Sequence, residues 1–581
     1  MWINYLDQAL LLAALAVTVN LLVGYAGQVS VAHAAFAGVG GYTICFLSGV
    51  HGWPYLASLG VAVLVATAFG VVIGLIALGL PEEFLILMTL AFSLAIIGIF
   101  ATFDALGGVM GLTGVTGLRL FGLALDTPRD WLVPSAAVLV LVYALCRRLG
   151  ESPYGRVLKG VREDAVATRA LGKNTFGYKI GVFALTSGTA GLVGGLYSGW
   201  LGQATPSAFG FPLAMAVFAM VIVGGSANLL GSVVAGVGLT MIEPALREGL
   251  GVQSSQAALL QLVLYGALLV VVMIARPQGL FAERFHRLAP SPAGDGPHTA
   301  AREPRAVGDG PRAVVAPRPG PPAPPVSYED AEVVLRARGL SKRFGGITAA
   351  RNIDLELRRG TITALVGPNG AGKTTAFNLL TGTVVPDTGS VLLNGVELVG
   401  TRPDLVVRAG LVRTFQDVRL LGRLTCLENV MLAVPDQDGE RIGRLLRPGV
   451  ARADREVAAR ALEWLDFVGL ADRAETPADA LSYGQSKLVS LARALATRAD
   501  VLLLDEPASG VDAAWVDTML QMVAAVRAEG RTICLVEHNL DVVRELADHA
   551  CFMELGEITA SGTVAELTGS ARLADAYFGA Q

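Results

Sequence analysis

The sequence predicts a multi-domain chain: a polytopic α-helical membrane domain of about 8–9 spans, then an α/β domain that cradles phosphate. Three observations predict it. Residues 8–81, 180–242 and 249–275 contain no Asp, Glu, Lys or Arg. Charge is costly in hydrocarbon and about 20 apolar residues cross a bilayer, so these blocks read as membrane rather than as a soluble core. The composition then changes abruptly, with 11 prolines and 5 glycines in 289–326. Finally, Gly367-Pro-Asn-Gly-Ala-Gly-Lys-Thr374 matches the pattern G-x-x-x-x-G-K-[ST] in full. The expected division is 1–286 membrane domain, 287–332 linker and 333–581 nucleotide-binding domain.

Candidate spans lie near 6–26, 30–50, 55–80, 84–103, 131–149, 180–202, 210–226, 229–247 and 257–276. The first has no basic segment or small-residue cleavage signal before it and reads as a retained span. The first two are candidates for broken or re-entrant helices, because Gly24, Gly27, Gly38, Gly40 and Gly41 crowd that region. Gly70-x-x-x-Gly74 and Gly191-x-x-x-Gly195 suit close helix approach in lipid. Residues 147–179 hold eight basic residues against three acidic ones, so this loop is expected in the cytoplasm. The 104–130 loop, with two basic and three acidic residues, suits the outside. Nine spans place the N-terminus outside and eight reverse it. Either way the chain returns to the cytoplasm after Arg276, where a nucleotide-using domain belongs. The net charge of −4 says little by itself, and the basic residues are not arranged as a nucleic-acid surface. Cys45, Cys146, Cys426, Cys534 and Cys551 are scattered, with no CxxC, which argues against a disulfide framework or metal site.

The linker cannot bury a core and is expected as a flexible or polyproline-like tether, reaching roughly 35 Å root-mean-square. Beyond it, Thr361–Val366, Val501–Leu504 and Thr532–Val536 alternate with helical stretches, indicating a parallel sheet. In the loop 367–374 (Gly367, Pro368, Asn369, Gly370, Ala371, Gly372, Lys373, Thr374, with Thr375 following) glycines let backbone N–H groups close on phosphates at a helix N-terminus. Lys373 is placed for the β- and γ-phosphates and Thr374 for Mg²⁺. Val501-Leu-Leu-Leu-Asp505-Glu506 is an apolar strand ending in two carboxylates. Asp505 is placed to hold the metal, through water, and Glu506 to orient or deprotonate the attacking water.

With these segments in this order, the chain resembles the ATP-binding cassette (ABC) family. Leu481-Ser-Tyr-Gly-Gln485 is similar to the signature motif, Gln416 to the Q-loop, Ser509-Gly-Val-Asp512 to the D-loop, His538 to the switch histidine and Phe344 to the adenine-stacking aromatic. The resemblance implies two cassettes head to tail. Ser482 and Gly484 then contact ATP held by the partner cassette, Gln485 and Asp512 are counted with the ATP-binding residues, His538 touches the γ-phosphate, and Gln416 senses it, reaches the metal and relays to the membrane domain. Tyr483 departs from the glycine usual at the third signature position.

Finer likenesses single out branched-chain amino acid importers. Asn20–Ser30 with Ala32–Tyr42, Ser152-Pro-Tyr-Gly-Arg156, Arg162–Gly172 and Arg276-Pro-Gln-Gly-Leu-Phe281 resemble the LivM-type permease. Arg413–Leu420, Leu427-Glu-Asn-Val430, Tyr483, Glu537-His-Asn-Leu-Asp541 and Ala576-Tyr-Phe-Gly579 resemble the LivG-type ATPase. The chain looks like a natural fusion of the two. The resemblance implies a coupling segment at 156–172, with Arg162, Glu163, Ala165, Ala167 and Gly172. It also implies a second permease, a second ATPase, an extracytoplasmic substrate-binding protein, ATP and Mg²⁺ as ligands, and a multi-pass place in the cytoplasmic (inner) membrane. The expected function is ATP-driven import of branched-chain amino acids. Alternatives are the same machinery importing other amino acids, urea or amides, or aromatic acids; an ABC exporter half-transporter; and an ATP-gated regulator. Glu243 and His33, the obvious ionisable residues inside the membrane blocks, are not assigned to substrate.

Overall fold

The computed structural model describes residues 2–77, 79, 82–113, 119–120, 123–125, 127–249, 251–283, 327–444, 447, 449–510 and 513–568. Most of the linker, Asp512 and the Ala576–Gly579 run lie outside these. The chain forms two compact units: one of Met1–Arg162, Thr175–His286 and Gly439–Arg447, the other of Glu163–Asn174, Arg287–Asp438 and Pro448–Gln581.

The first unit is helical. Its helices are α1 (Trp2–Asn20), α2 (His33–Ile44), α3 (Tyr55–Ala77), α4 (Glu82–Thr102), α5 (Pro128–Gly150), α6 (Pro153–Glu163), α7 (Thr175–Leu201), α8 (Phe211–Gly224), α9 (Leu229–Thr240) and α10 (Ser254–Ala275). Among the described residues eight helices are long and apolar enough to cross a membrane, and α10 adds a further apolar helix. The glycine-crowded start is interrupted as expected. The first helix ends in a π-helical turn, Leu21–Tyr25, and residues 27–30 are non-helical before α2 begins.

Small residues set the packing in this unit. A Cβ on Gly40 would sit 2.0 Å from the Gly191 carbonyl, and one on Gly194 would sit 1.9 Å from that of Ala37. Helices α2 and α7 therefore touch backbone to backbone, the close approach that replaces a hydrophobic driving force in lipid. Gly191 meets Ala66 of α3 on its other side.

The broken end of α1 is tied down by Asn20, which is fully buried. Its Nδ2 donates to the carbonyls of Gly225 and Asn228 at 3.0 Å and to Ser232 Oγ at 2.7 Å, and its Oδ1 accepts from Ala227 N at 2.9 Å. One side chain thus satisfies the turn between α8 and α9, where Gly225 and Ala227 both have positive φ. The segment after α10 returns to the same turn: Leu280 N donates to Val223 O and Phe281 N to Gly224 O. Glu283 then pairs with Lys159 (3.3 Å) and Arg162 (3.0 Å). His33 is buried edge-on to Phe36 and Phe183, with neither ring nitrogen hydrogen-bonded among the described residues. Glu243 lies 3.9 Å from Arg247 at a half-buried position. Neither observation assigns substrate contact.

The second unit has two sheets built from β1 (Val333–Phe344), β2 (Ile347–Arg358), β3 (Ile362–Val366), β4 (Thr388–Leu393), β5 (Val396–Glu397), β6 (Leu411–Arg413), β7 (Val501–Asp505), β8 (Thr532–Val536), β9 (His549–Glu554) and β10 (Glu557–Gly562). The larger runs β6-β7-β8-β3-β9-β10 and is parallel except for its last pair. Strands β3, β7 and β8 are buried throughout, as continuous apolar runs in a covered parallel sheet should be. The smaller sheet, β2-β1-β4-β5, is antiparallel and was not foreseen from sequence. Phe377 on α11 (Lys373–Leu380) joins Leu365, Leu503 and Val536 in one core.

Candidate functional site

The site lies at the carboxyl ends of β3, β7 and β8, where an open parallel sheet leaves a crevice. After β3 the chain turns through Gly367–Gly372 into α11. Gly367 and Gly372 have φ of 152° and 100°. A Cβ there would lie 2.1 Å from Met553 O and 2.5 Å from Ala349 O. Only glycine meets both demands, which keeps the loop backbone open to phosphate. Lys373 Nζ donates to the carbonyls of Gly367 (2.6 Å) and Pro368 (3.0 Å). Burial lowers its pKa, opposed by the charges of Glu506 and Asp505. Thr374, one residue on, is exposed.

Register places the acids. Asp505, the last residue of β7, pairs with Val536 of β8, so Glu506 and His538 emerge from adjacent strands at one end of the sheet. Asp505 is buried and its Oδ2 accepts from Arg413 at 2.6 Å, while its Oδ1 has no hydrogen-bond partner among the described residues. Arg413, the last residue of β6, also donates to Asn378 Oδ1 at 2.5 Å and lies 5.4 Å from the ring centres of Phe377 and Phe415. Burial pushes the Asp505 carboxyl up, and the Arg413 guanidinium partly offsets it. Asp505 N donates to Thr414 Oγ1 at 3.1 Å.

Glu506 holds φ at 46°, a conformation rare for a side-chain-bearing residue. Its Oε2 accepts from Gln416 Nε2 at 3.0 Å. Lys487 Nζ donates to the carbonyls of Gln416 (3.1 Å) and Glu506 (2.9 Å). Next to His538, Glu537 is buried and accepts from Ala508 N at 2.9 Å, and burial raises its pKa. Arg413, Thr414 and Lys487 were missed as site residues from sequence. The signal available was weak: two cations flanking recognised motifs.

Ser482 is the N-cap of α12 (Tyr483–Ala496), in a capping box with Gln485. Gln485 and Gly484 are buried, whereas Ser482 and Tyr483 are exposed. Gln485 is thus occupied by helix capping, leaving Ser482 and Tyr483 as the outward part of the signature. Phe344 ends β1 and is 48% exposed, an aromatic face open for stacking. Its hairpin flanks the phosphate loop through Ala349, beside Gly372. Asp512 lies outside the described residues.

The candidate coupling residues divide. Arg162 stays in the first unit, donating to Gly24 O and to Glu283. Residues 163–174 fold into the second unit. There Glu163 Oε2 accepts from Arg423 N (3.1 Å), and Asp164 pairs with Arg419 (3.0 Å). Asp164 also caps the short helix Ala165–Arg169 that carries Ala165 and the buried Ala167. Gly172 O accepts from Arg408 Nε (3.3 Å), and Lys173 Nζ donates to Val434 O (2.9 Å).

Two family models match: a branched-chain amino acid transport system permease component over residues 1–273 and an ABC transporter over residues 350–509. The second half is 38% identical over 249 residues to the high-affinity branched-chain amino acid transport ATP-binding protein LivG of Salmonella typhimurium, covering 42% of this chain and 98% of that protein. It is 35% identical over the same length to BraF of Pseudomonas aeruginosa, a protein of the same description, with the same coverage. A solved nucleotide-free ATP-binding cassette from an ABC transporter is 30% identical, covers 43% of this chain and all of its own, and has a TM-score of 0.39.

Proposed function

This chain belongs to the branched-chain amino acid branch of the ABC transporter family, permease and ATP-binding parts joined, and from that premise we propose that it drives import of leucine, isoleucine and valine across the cytoplasmic membrane. The loop Gly367–Thr375 and Phe344 hold ATP. Glu506 orients and deprotonates the attacking water. Gln416 and His538 face the γ-phosphate, Ser482 and Gly484 complete the partner cassette's site, and Asp512 is assigned to ATP binding. The orphaned Oδ1 of Asp505 and the open hydroxyl of Thr374 suit a hard oxygen-seeking cation. With Gln416 they would hold Mg²⁺, which neutralises charge on the β- and γ-phosphate oxygens. A second permease, a second ATPase and an extracytoplasmic binding protein complete the machine.

The observation that carries the coupling is the Asp164–Arg419 ion pair, three residues from Gln416 in sequence. A segment continuous with the membrane helices thereby reaches the loop whose glutamine hydrogen-bonds Glu506. Moving a gate from 1:99 to 99:1 takes about 5.5 kcal/mol of differential binding, which closure of two cassettes over ATP supplies. The test is leucine uptake into vesicles holding the assembled transporter. With the binding protein outside and the cassettes facing inward, wild type is expected to accumulate leucine only with internal ATP and Mg²⁺. Glu506→Gln is expected to bind ATP while losing both hydrolysis and uptake. ATP turnover at the wild-type rate in that variant refutes the assignment of the base.

A further inference from the structure

Lys487 is the point where three motifs meet. It lies one turn beyond Tyr483 on α12 and is 5% exposed. An ammonium offers three donors. Two go to the carbonyls of Gln416 (3.1 Å) and Glu506 (2.9 Å), and Nζ lies 5.5 Å from the centre of the Tyr483 ring. The triangle closes through the Gln416–Glu506 side-chain hydrogen bond. A second contact reinforces the link. The Tyr483 ring packs on Gly510, whose added Cβ would lie 3.1 Å from Tyr483 Cε1. Glu506 also needs such support, because a positive φ at a residue with a side chain persists only where its surroundings over-determine it.

We propose that Lys487 is a positioning residue that couples the two ATP sites of the assembled transporter. The helix that presents Ser482 to the partner's nucleotide also holds, through Lys487, the backbone of this chain's own Gln416 and Glu506. When the signature engages ATP across the cassette interface, α12 shifts. Its ammonium carries both carbonyls with it, so Glu506 is set for water attack only when the partner site is filled. The wiring is short because Lys487 follows the signature by less than one further turn. It is buried away from water, which keeps its bonds to the carbonyls strong. The inference rests on the site reading above and assigns that site a regulation.

The experiment uses the full assembled transporter with Lys487→Met, Lys487→Arg and, in parallel, Glu506→Gln. ATPase rate is followed against ATP concentration. The expected result is a cooperative wild-type curve. In Lys487→Met, kcat falls roughly tenfold and the Hill coefficient falls toward one, with half-saturating ATP little changed. Lys487→Arg, which restores cationic donors, is expected to recover most of kcat and the cooperativity. A wild-type rate and Hill coefficient in Lys487→Met overturn the proposal, as does a non-cooperative wild type. If the Met variant fails to assemble, Lys487→Gln takes its place, and a wild-type profile there overturns it equally. Normal hydrolysis in Glu506→Gln sinks the site reading itself. A dead Glu506→Gln beside an unaltered Lys487→Met sinks only the coupling role.

Discussion

Arg413 and Asp505 meet with side chains 4% and 1% exposed, so their energetics are those of an interior pair. Coulomb attraction there offsets desolvation only with good geometry, which the 2.6 Å contact and the flanking Asn378 bond provide. Removing one partner leaves a buried charge alone, at about 3–5 kcal/mol. Arg413→Ala is therefore expected to lower cassette stability by that order, read from denaturant unfolding of the purified protein. A change below about 1 kcal/mol would mean the pair is dispensable. This residue also marks where sequence reading stops. Gly367–Thr374 and Asp505–Glu506 are legible because each motif is local, a strand running into its own loop. Arg413 finds Asp505 across 92 positions, and Lys487 finds Gln416 across 71. Nothing in either residue's own neighbourhood announces the distant acceptor. Gln485 shows the converse: its place in the signature was plain, but its engagement in capping Ser482 required the folded helix.

The element with the clearest division of labour is the short helix Ala165–Arg169 with its cap. Asp164 does two things: Oδ1 accepts from Val166 N and Ala167 N, and Oδ2 binds Arg419. Asp164→Ser keeps a good cap but loses the ion pair. Because Arg419 is 42% exposed, the lost pair is worth at most about 1 kcal/mol of stability. The expected outcome is near-normal thermal stability and ATPase activity with fewer leucine molecules moved per ATP. An unchanged transport-to-hydrolysis ratio would remove this ion pair from the coupling path. That 156–172 is a basic segment between apolar helices was legible from charge. Its partition was not: Arg162 turns inward to Glu283 while Glu163 and Asp164 face the cassette. All three are charged neighbours in sequence, and their distant partners, Glu283 against Arg419 and Arg423, separate them. The antiparallel sheet escaped notice for a related reason. Val333–Phe344 mixes charges into a long edge-like strand, and its partner Thr388–Leu393 lies beyond the phosphate loop and the helix that follows it.

At the scale of the molecule, exchange of segments holds each unit together. Residues 163–174 belong with the cassette, and 439–447 belong with the helical unit, where Glu440 accepts from Tyr178 and Ile442 packs beside Gly181. The latter stretch, Gly-Glu-Arg-Ile-Gly-Arg-Leu-Leu-Arg, carries no motif that marks it from sequence as part of the helical unit. Contacts of this kind do not depend on the proline-rich tether. A protease site placed within 300–320 and cut after assembly is therefore expected to leave both fragments co-purifying and transport-competent. Separation of the fragments on a sizing column would show that the tether itself maintains the complex.

The folding of 163–174 into the cassette also imposes a schedule on synthesis. The ribosome makes this segment about 260 residues before Val434, the last cassette residue to which its described hydrogen bonds run. At about 5–20 residues per second, that is on the order of 10–50 s during which Glu163 and Asp164 await donors, and Lys173 an acceptor, that are not yet made. Helices long and apolar enough to cross a membrane flank this charged stretch, so it is expected to wait for its partners tethered at both ends. Maturation of the nucleotide-binding half is thus a docking onto bait already in place, and a nascent chain arrested before residue 434 should display that bait to proteases that the finished protein excludes.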